Sequence, residues 1–128
     1  MAEQPKPGSI VHVEFNVKDP KPLKKFYSDL FGWKFQDVPQ MNYSTFEAPS
    51  GPGGGIGVVQ KGQEAGITNY ILVNSVDEYI TKVTKAGGKV LGPKTEVPGW
   101  GWMAWFQDPA GMKLALWQPS PQAMAQRR

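Results

Sequence analysis

Cysteine is absent from this sequence, and histidine occurs once, as His12. The first absence excludes disulfides, thiolate nucleophiles and cysteine-type zinc sites together. The second leaves any metal site dependent on carboxylates. Long apolar runs are missing too: no stretch approaches the roughly 18 residues of a membrane span. The opening "MAEQPKPGS" lacks the apolar core of a secretory signal, so a cytoplasmic protein without a membrane partner is expected. The net charge of +3 comes from scattered Lys and Arg, with "QRR" at the end as the one basic tip. Phosphate-binding surfaces cluster their charge, so nucleic acid is not an expected partner. "GPGGG" (Gly51 to Gly55) is not followed by Lys and Ser or Thr and precedes a strand, so it reads as a hairpin or rim loop and not a phosphate cradle.

What is present is punctuation and aromatics. The 128 residues carry 15 Gly and 12 Pro against 40% hydrophobic residues, which predicts one compact domain of many short strands. Residues 1–9 and 120–128 read as flexible tails by their Pro, Gln and Lys content. "IVHVEFNV" (Ile10 to Val17) alternates, with Val11, Val13, Phe15 and Val17 on one side and His12, Glu14 and Asn16 on the other. That is a strand with one apolar and one polar face. Asp19 and Pro20 predict an N-cap and first helical turn, and Leu23, Phe26, Tyr27 and Leu30 recur at helical spacing up to a stop at Gly32. Three strand-like pieces follow: Trp33 to Val38, Asn42 to Ala48 and Gly55 to Gln60.

The second half repeats this order. Thr68 to Val73 reads as a strand, Val76 to Ala86 as a helix, then Lys89 to Val97, Trp100 to Gln107 and Met112 to Gln118 as strands, the last two joined by a "DPAG" turn. Gly88 registered on Gly32 gives an offset of 56, which also sets Ser75 on Asp19 and Val73 on Val17. Two copies are too few for a solenoid. Two βαβββ modules, about 10–60 and 68–119, each with one open apolar face, are expected to complete a single domain over 10–119.

In that order, "FYSDLFGW" (Phe26 to Trp33), "AGGKVLGP" (Ala86 to Pro93) and "DPAGMKLALWQP" (Asp108 to Pro119) resemble the vicinal oxygen chelate superfamily of glyoxalase I, bleomycin-resistance proteins and extradiol dioxygenases. The resemblance implies an α+β fold of two βαβββ modules whose mixed sheets curl around a cleft, usually completed in a homodimer. It also implies that metal-dependent members take their ligands from the first and last strand of each module. His12 stands at the first such position. The offset carries it onto Thr68, a poor ligand. The place of the family's glutamate in the last strand falls at Ala115, and its partner in the first module at Val59, or Val58 if the register slips. A divalent cation wants three or more protein ligands. Glu14, on the face of His12, and Glu47 are the candidate carboxylate donors, but neither lies at an implied ligand position, so no metal or other cofactor is expected.

His12 and Glu14 are the candidate acid–base groups, since imidazole titrates near neutrality. The plainer reading is a solvated or hydrogen-bonded polar face. Alternation sets Lys113, Ala115 and Trp117 together, facing the implied cleft, with Leu114 and Leu116 under the helices. On the preceding strand it separates Trp102 from Trp105, and a one-residue slip would exchange their faces, so both stay candidates. The expected ligand face is therefore His12, Asn16, Val59, Thr68, Trp102, Trp105, Lys113, Ala115 and Trp117, around a small organic molecule. Such a metal-independent binder is the leading reading. A lyase or dioxygenase-type enzyme, metal-dependent or working through His12 and Glu14, is the second. A protein interaction module whose tryptophans bury a partner is the third.

Overall fold

The computed structural model describes residues 5–121. The alternating opening becomes β1 (Ile10–Val17). Helix α1 (Pro20–Phe31) starts where Asp19, in an extended conformation, accepts the Lys21 amide at 3.1 Å, and Pro20 presets the first-turn backbone. It stops at Gly32, whose φ of 72° is left-handed and whose amide returns to the Ser28 carbonyl. β2 (Lys34–Val38), β3 (Tyr43–Glu47) and β4 (Gly54–Val58) follow, with a single 3-10 turn at Pro39–Met41 between the first two. β3 runs antiparallel to both β2 and β4, and β1 joins β4 in parallel, giving the order β2-β3-β4-β1.

The second half repeats that arrangement in β5 (Gly66–Leu72), α2 (Val76–Lys85), β6 (Lys89–Val90), β7 (Thr95–Val97), β8 (Gly101–Gln107) and β9 (Lys113–Pro119). β5 is parallel to β9, β9 antiparallel to β8, and both β6 and β7 pair with β8. The expected single strand over 89–97 is split. Between the pairs Val90–Phe106 and Thr95–Met103 one strand advances by five residues and β8 by three. The excess is thrown out around Gly92 and Pro93, because proline has no amide to give the ladder.

The chain forms two compact units, Val11–Asn69 and the segment from Tyr70 onward together with the residues up to Ile10. That division runs through β5. Three described residues just outside the strands make backbone hydrogen bonds. The Gly8 amide donates to the Leu72 carbonyl at 2.8 Å, the Leu72 amide to Ser9 at 2.9 Å, and the Ser120 amide to Trp100 at 2.8 Å. The "QRR" tip lies outside the described residues. Among the described residues no helix is long and apolar enough to cross a membrane.

Each unit packs one sheet face against its helix. In the Val11–Asn69 unit, Phe15 meets Tyr27, Trp33 and Phe46, and Trp33 stacks on Phe46 at 4.4 Å between ring centres. In the other unit Val73, Val76, Ala104 and Leu116 are buried, with Tyr79, Ile80, Trp102 and Phe106 packed around them. α1 departs from expectation on one edge. Leu23 and Tyr27 are half-buried, while Phe26, Leu30 and Phe31 stay more than half exposed.

Candidate functional site

The face of β1 turned away from α1 carries His12, Glu14 and Asn16. Opposite them on β4 stand Gly55, paired with Glu14, and Gly57, paired with Asn16. β4 thus presents no side chain at either position on that face. Tyr43, on β3 opposite Gly57, lays its ring over this bare backbone. A methyl group built on Gly55 would fall on the phenol oxygen of Tyr43, so glycine there is a space requirement.

The phenol reaches both polar groups of β1. Its hydroxyl donates to Glu14 Oε2 at 2.9 Å, and its oxygen lies 2.7 Å from His12 Nε2. A carboxylate only accepts, and a phenol has one proton. With that proton directed to Glu14, His12 Nε2 is the donor to the phenol oxygen. The result is a directed chain from imidazole to phenol to carboxylate, half-buried, with the two rings inclined by 13°. On the helix side of the same unit, Asp37 accepts from Lys24 Nζ at 2.7 Å and from the Ser44 hydroxyl at 2.8 Å. These bonds hold its carboxyl below the usual carboxylate range, the lysine contributing most.

In the other unit the face away from α2 is aromatic. Tyr70 pairs with Ala115, and both are buried with Met103, while Val97, Trp105 and Trp117 pack against them. The Tyr70 ring lies 6.2 Å from Trp105 and 6.3 Å from Trp117. The open question of β8 is answered by its register. Trp105 stands opposite Ala115 and shares its face, whereas Trp102 belongs to the helix face, with Lys94 Nζ 5.3 Å above its ring. Trp102 therefore does not share the face of Ala115, contrary to its place in the expected ligand face. Lys113 shares the Ala115 alternation at the exposed end of β9, and Thr68 is buried on β5.

Val59 is not the counterpart of Ala115 either. The helix caps Asp19 and Ser75, and the paired positions Glu14 and Tyr70, keep the offset of 56. The last strands do not: Glu14 faces Gly55 and Tyr70 faces Ala115, so the counterpart of Ala115 is Gly55. Val59 lies beyond β4, its amide on the Val17 carbonyl at 2.9 Å. A single offset taken at the helix ends cannot register the longer path through β6 and β7. The residues at the four implied ligand positions are thus His12, Gly55, Thr68 and Ala115. Among the described residues no three His, Asp or Glu side chains gather into a metal-holding group. This donor set falls short of what zinc, iron, nickel or manganese requires.

Sequence reasoning missed Tyr43 and Tyr70. The signal for Tyr43 was available in the alternate glycines at 53, 55 and 57, which leave one face of a strand open for a neighbour's ring. A family model described as the Glyoxalase/Bleomycin resistance protein/Dioxygenase superfamily matches residues 9–116. The chain belongs to that superfamily. Among its curated relatives, a glyoxylase-like domain-containing protein of Didymella fabae is 40% identical over 92 residues, covering 66% of this chain and 72% of the relative. The anthracycline biosynthesis protein DnrV of Streptomyces peucetius is 30% identical over 134 residues, covering 88% of this chain and 47% of its own. The chain spans about half the length of the mycobacterial, streptomycete and plant relatives it matches. Methylmalonyl-CoA epimerase of Mycobacterium tuberculosis shares the superfamily fold, with a TM-score of 0.70 over 98% of this chain and 97% of the epimerase, at 14% identity.

Proposed function

We propose that this superfamily member binds a small organic molecule without a resident metal, through the sheet faces turned away from the helices. One observation carries the reading. Where the superfamily resemblance implies a carboxylate in each last strand, this chain has Gly55, covered by the Tyr43 ring, and Ala115, buried among Tyr70 and Met103. Alanine and glycine offer no donor, and the aromatic surroundings suit an apolar ligand with few polar groups.

Two relatives supply probes. The name of DnrV refers to anthracycline biosynthesis, and an Arabidopsis thaliana relative 28% identical over 133 residues is named a lactoylglutathione lyase. An anthracycline and lactoylglutathione are therefore the first ligands to titrate against tryptophan fluorescence. The expected result is saturable binding of one of them by metal-free protein, weakened about tenfold in Trp117→Ala, the loss of one good aromatic contact. Near-stoichiometric zinc, nickel, iron or manganese in the purified protein, with activity returning on reloading, would overturn the metal-free reading. Absence of any response to either probe, or an unchanged response in Trp117→Ala, would count against the proposed faces.

A second reading is favoured by the His12–Tyr43–Glu14 chain itself. Hydrogen-bonded imidazole and carboxylate are the equipment of general acid–base catalysis, so a lyase-type reaction on the same ligand is the alternative. It predicts turnover of a bound probe that is lost in His12→Ala.

A further inference from the structure

We infer that Tyr43 is the positioning residue of the polar face: it couples Glu14 to His12, fixes which imidazole nitrogen keeps its proton, and does so in a space that Gly55 leaves open. The inference deepens the acid–base reading above and rests on it for its consequence to a ligand. Its structural content stands on geometry alone. The 2.9 Å bond to Glu14 uses the only phenol proton, so the 2.7 Å contact to His12 is made by an imidazole N–H at Nε2. In the neutral ring the basic lone pair is then on Nδ1. When the ring takes a second proton, its charge faces Glu14 through one polarised hydroxyl. Carboxylates orient catalytic histidines in this way, here with a phenol interposed.

The place of the phenol is set by backbone. Tyr43 and Gly57 are paired across β3 and β4, and the ring runs along β4 until its oxygen covers Gly55. A side chain at 55 and the phenol cannot coexist. At Gly57 the situation differs. A methyl group there would meet Asn16 Oδ1 at 3.0 Å and the ring edge only at 3.6 Å, so alanine is accommodated by a small shift of the amide. The two glycines therefore differ in what they do, and only Gly55 is tied to the polar chain.

His12 is the only histidine, so one imidazole appears in the nitrogen–proton spectrum of the uniformly 15N-labelled full chain. The wild-type protein is expected to show a neutral ring protonated at Nε2, with little of the other tautomer. Tyr43→Phe keeps the ring over β4 but removes the hydroxyl, and the Nδ1-protonated tautomer is expected to rise to the share it has in a free imidazole, which itself favours Nε2–H. Gly55→Ala should show the same rise, and Gly57→Ala should not. If Gly55→Ala fails to fold, Tyr43→Phe decides. An unchanged tautomer ratio in Tyr43→Phe, or an Nδ1-protonated ring in the wild type, overturns the inference. Titrating the two probes into the same samples separates it from the binding proposal. A tautomer fixed by Tyr43 in a protein that binds neither probe supports the role of Tyr43 and counts against the binding reading alone.

Discussion

Single atoms decide the chemistry of each face. One absent Cβ, at Gly55, allows a phenol oxygen to stand between His12 and Glu14, and one absent carboxylate, at Ala115, turns the corresponding position in the other unit apolar. On the helix side the same economy applies to Asp37. Its carboxyl is held below the usual range by Lys24 and Ser44. A carboxyl lowered in the native state stabilises the fold above its unfolded pKa, and that contribution is lost as pH falls through the native value. Asp37→Asn is thus expected to reduce the urea midpoint slightly at neutral pH and to converge on the wild type as the pH falls through the lowered native value of Asp37, below which both side chains are uncharged. The change is small because the pair is solvent-exposed. Equal midpoints at neutral pH would show that the ion pair contributes nothing.

At the scale of elements, both helices are anchored by short-range chemistry at the same relative place. α2 begins at Ser75, whose hydroxyl accepts the Glu78 amide at 3.1 Å, and the Val76 amide donates to Gln118 Oε1 at 2.9 Å. Asp77 and Glu78 lie in the first turn and Lys82 and Lys85 in the last, matching the helix dipole. Ser75→Ala should cost about 1 kcal/mol of unfolding free energy, read from urea denaturation. No loss would mean that water or Gln118 replaces the cap. β4 obeys a different logic. A glycine-rich strand is weak by itself, because glycine loses most entropy on folding and packs nothing. It is held where backbone approaches backbone: a side chain on Gly54 would strike the Val13 carbonyl, and one on Gly53 the Phe46 carbonyl. The strand is thin on both counts because its neighbours need the room.

For the whole molecule, one surface feature bears on assembly. Phe26, Leu30 and Phe31 are exposed on α1, an apolar edge that a solitary chain would not be expected to show to water. A second copy of the chain is the proposed occupant, making a homodimer. Light scattering after size exclusion should give twice the chain mass at micromolar concentration. The Phe26→Glu and Leu30→Glu double variant should give a monomer that still unfolds cooperatively. A monomeric wild type, or a dimer indifferent to both substitutions, would remove the proposal.

The helix ends and the alternation of β1 and β9 were readable in the sequence because each depends on neighbours within four residues: Asp19, Pro20, Gly32, Ser75 and Gly88 announce caps and stops, and period two sorts His12 from Phe15; the repeat was readable because these local signals recur in the same order. The same locality placed Trp117 with Ala115. What depended on pairing between distant segments was not readable. The face of Trp102, the true counterpart of Ala115 and the split at Gly92–Pro93 are all matters of register, and register is set by how many residues each strand spends between two paired positions. Tyr43 belongs to the same class. It is 31 residues from His12 and 29 from Glu14, and only the sheet, with a bare strand lying between β1 and β3, brings the three together. Local chemistry in the sequence determined the family of the fold and the absence of a carboxylate at residue 115, while long-range backbone pairing decided which polar groups meet and through which atom.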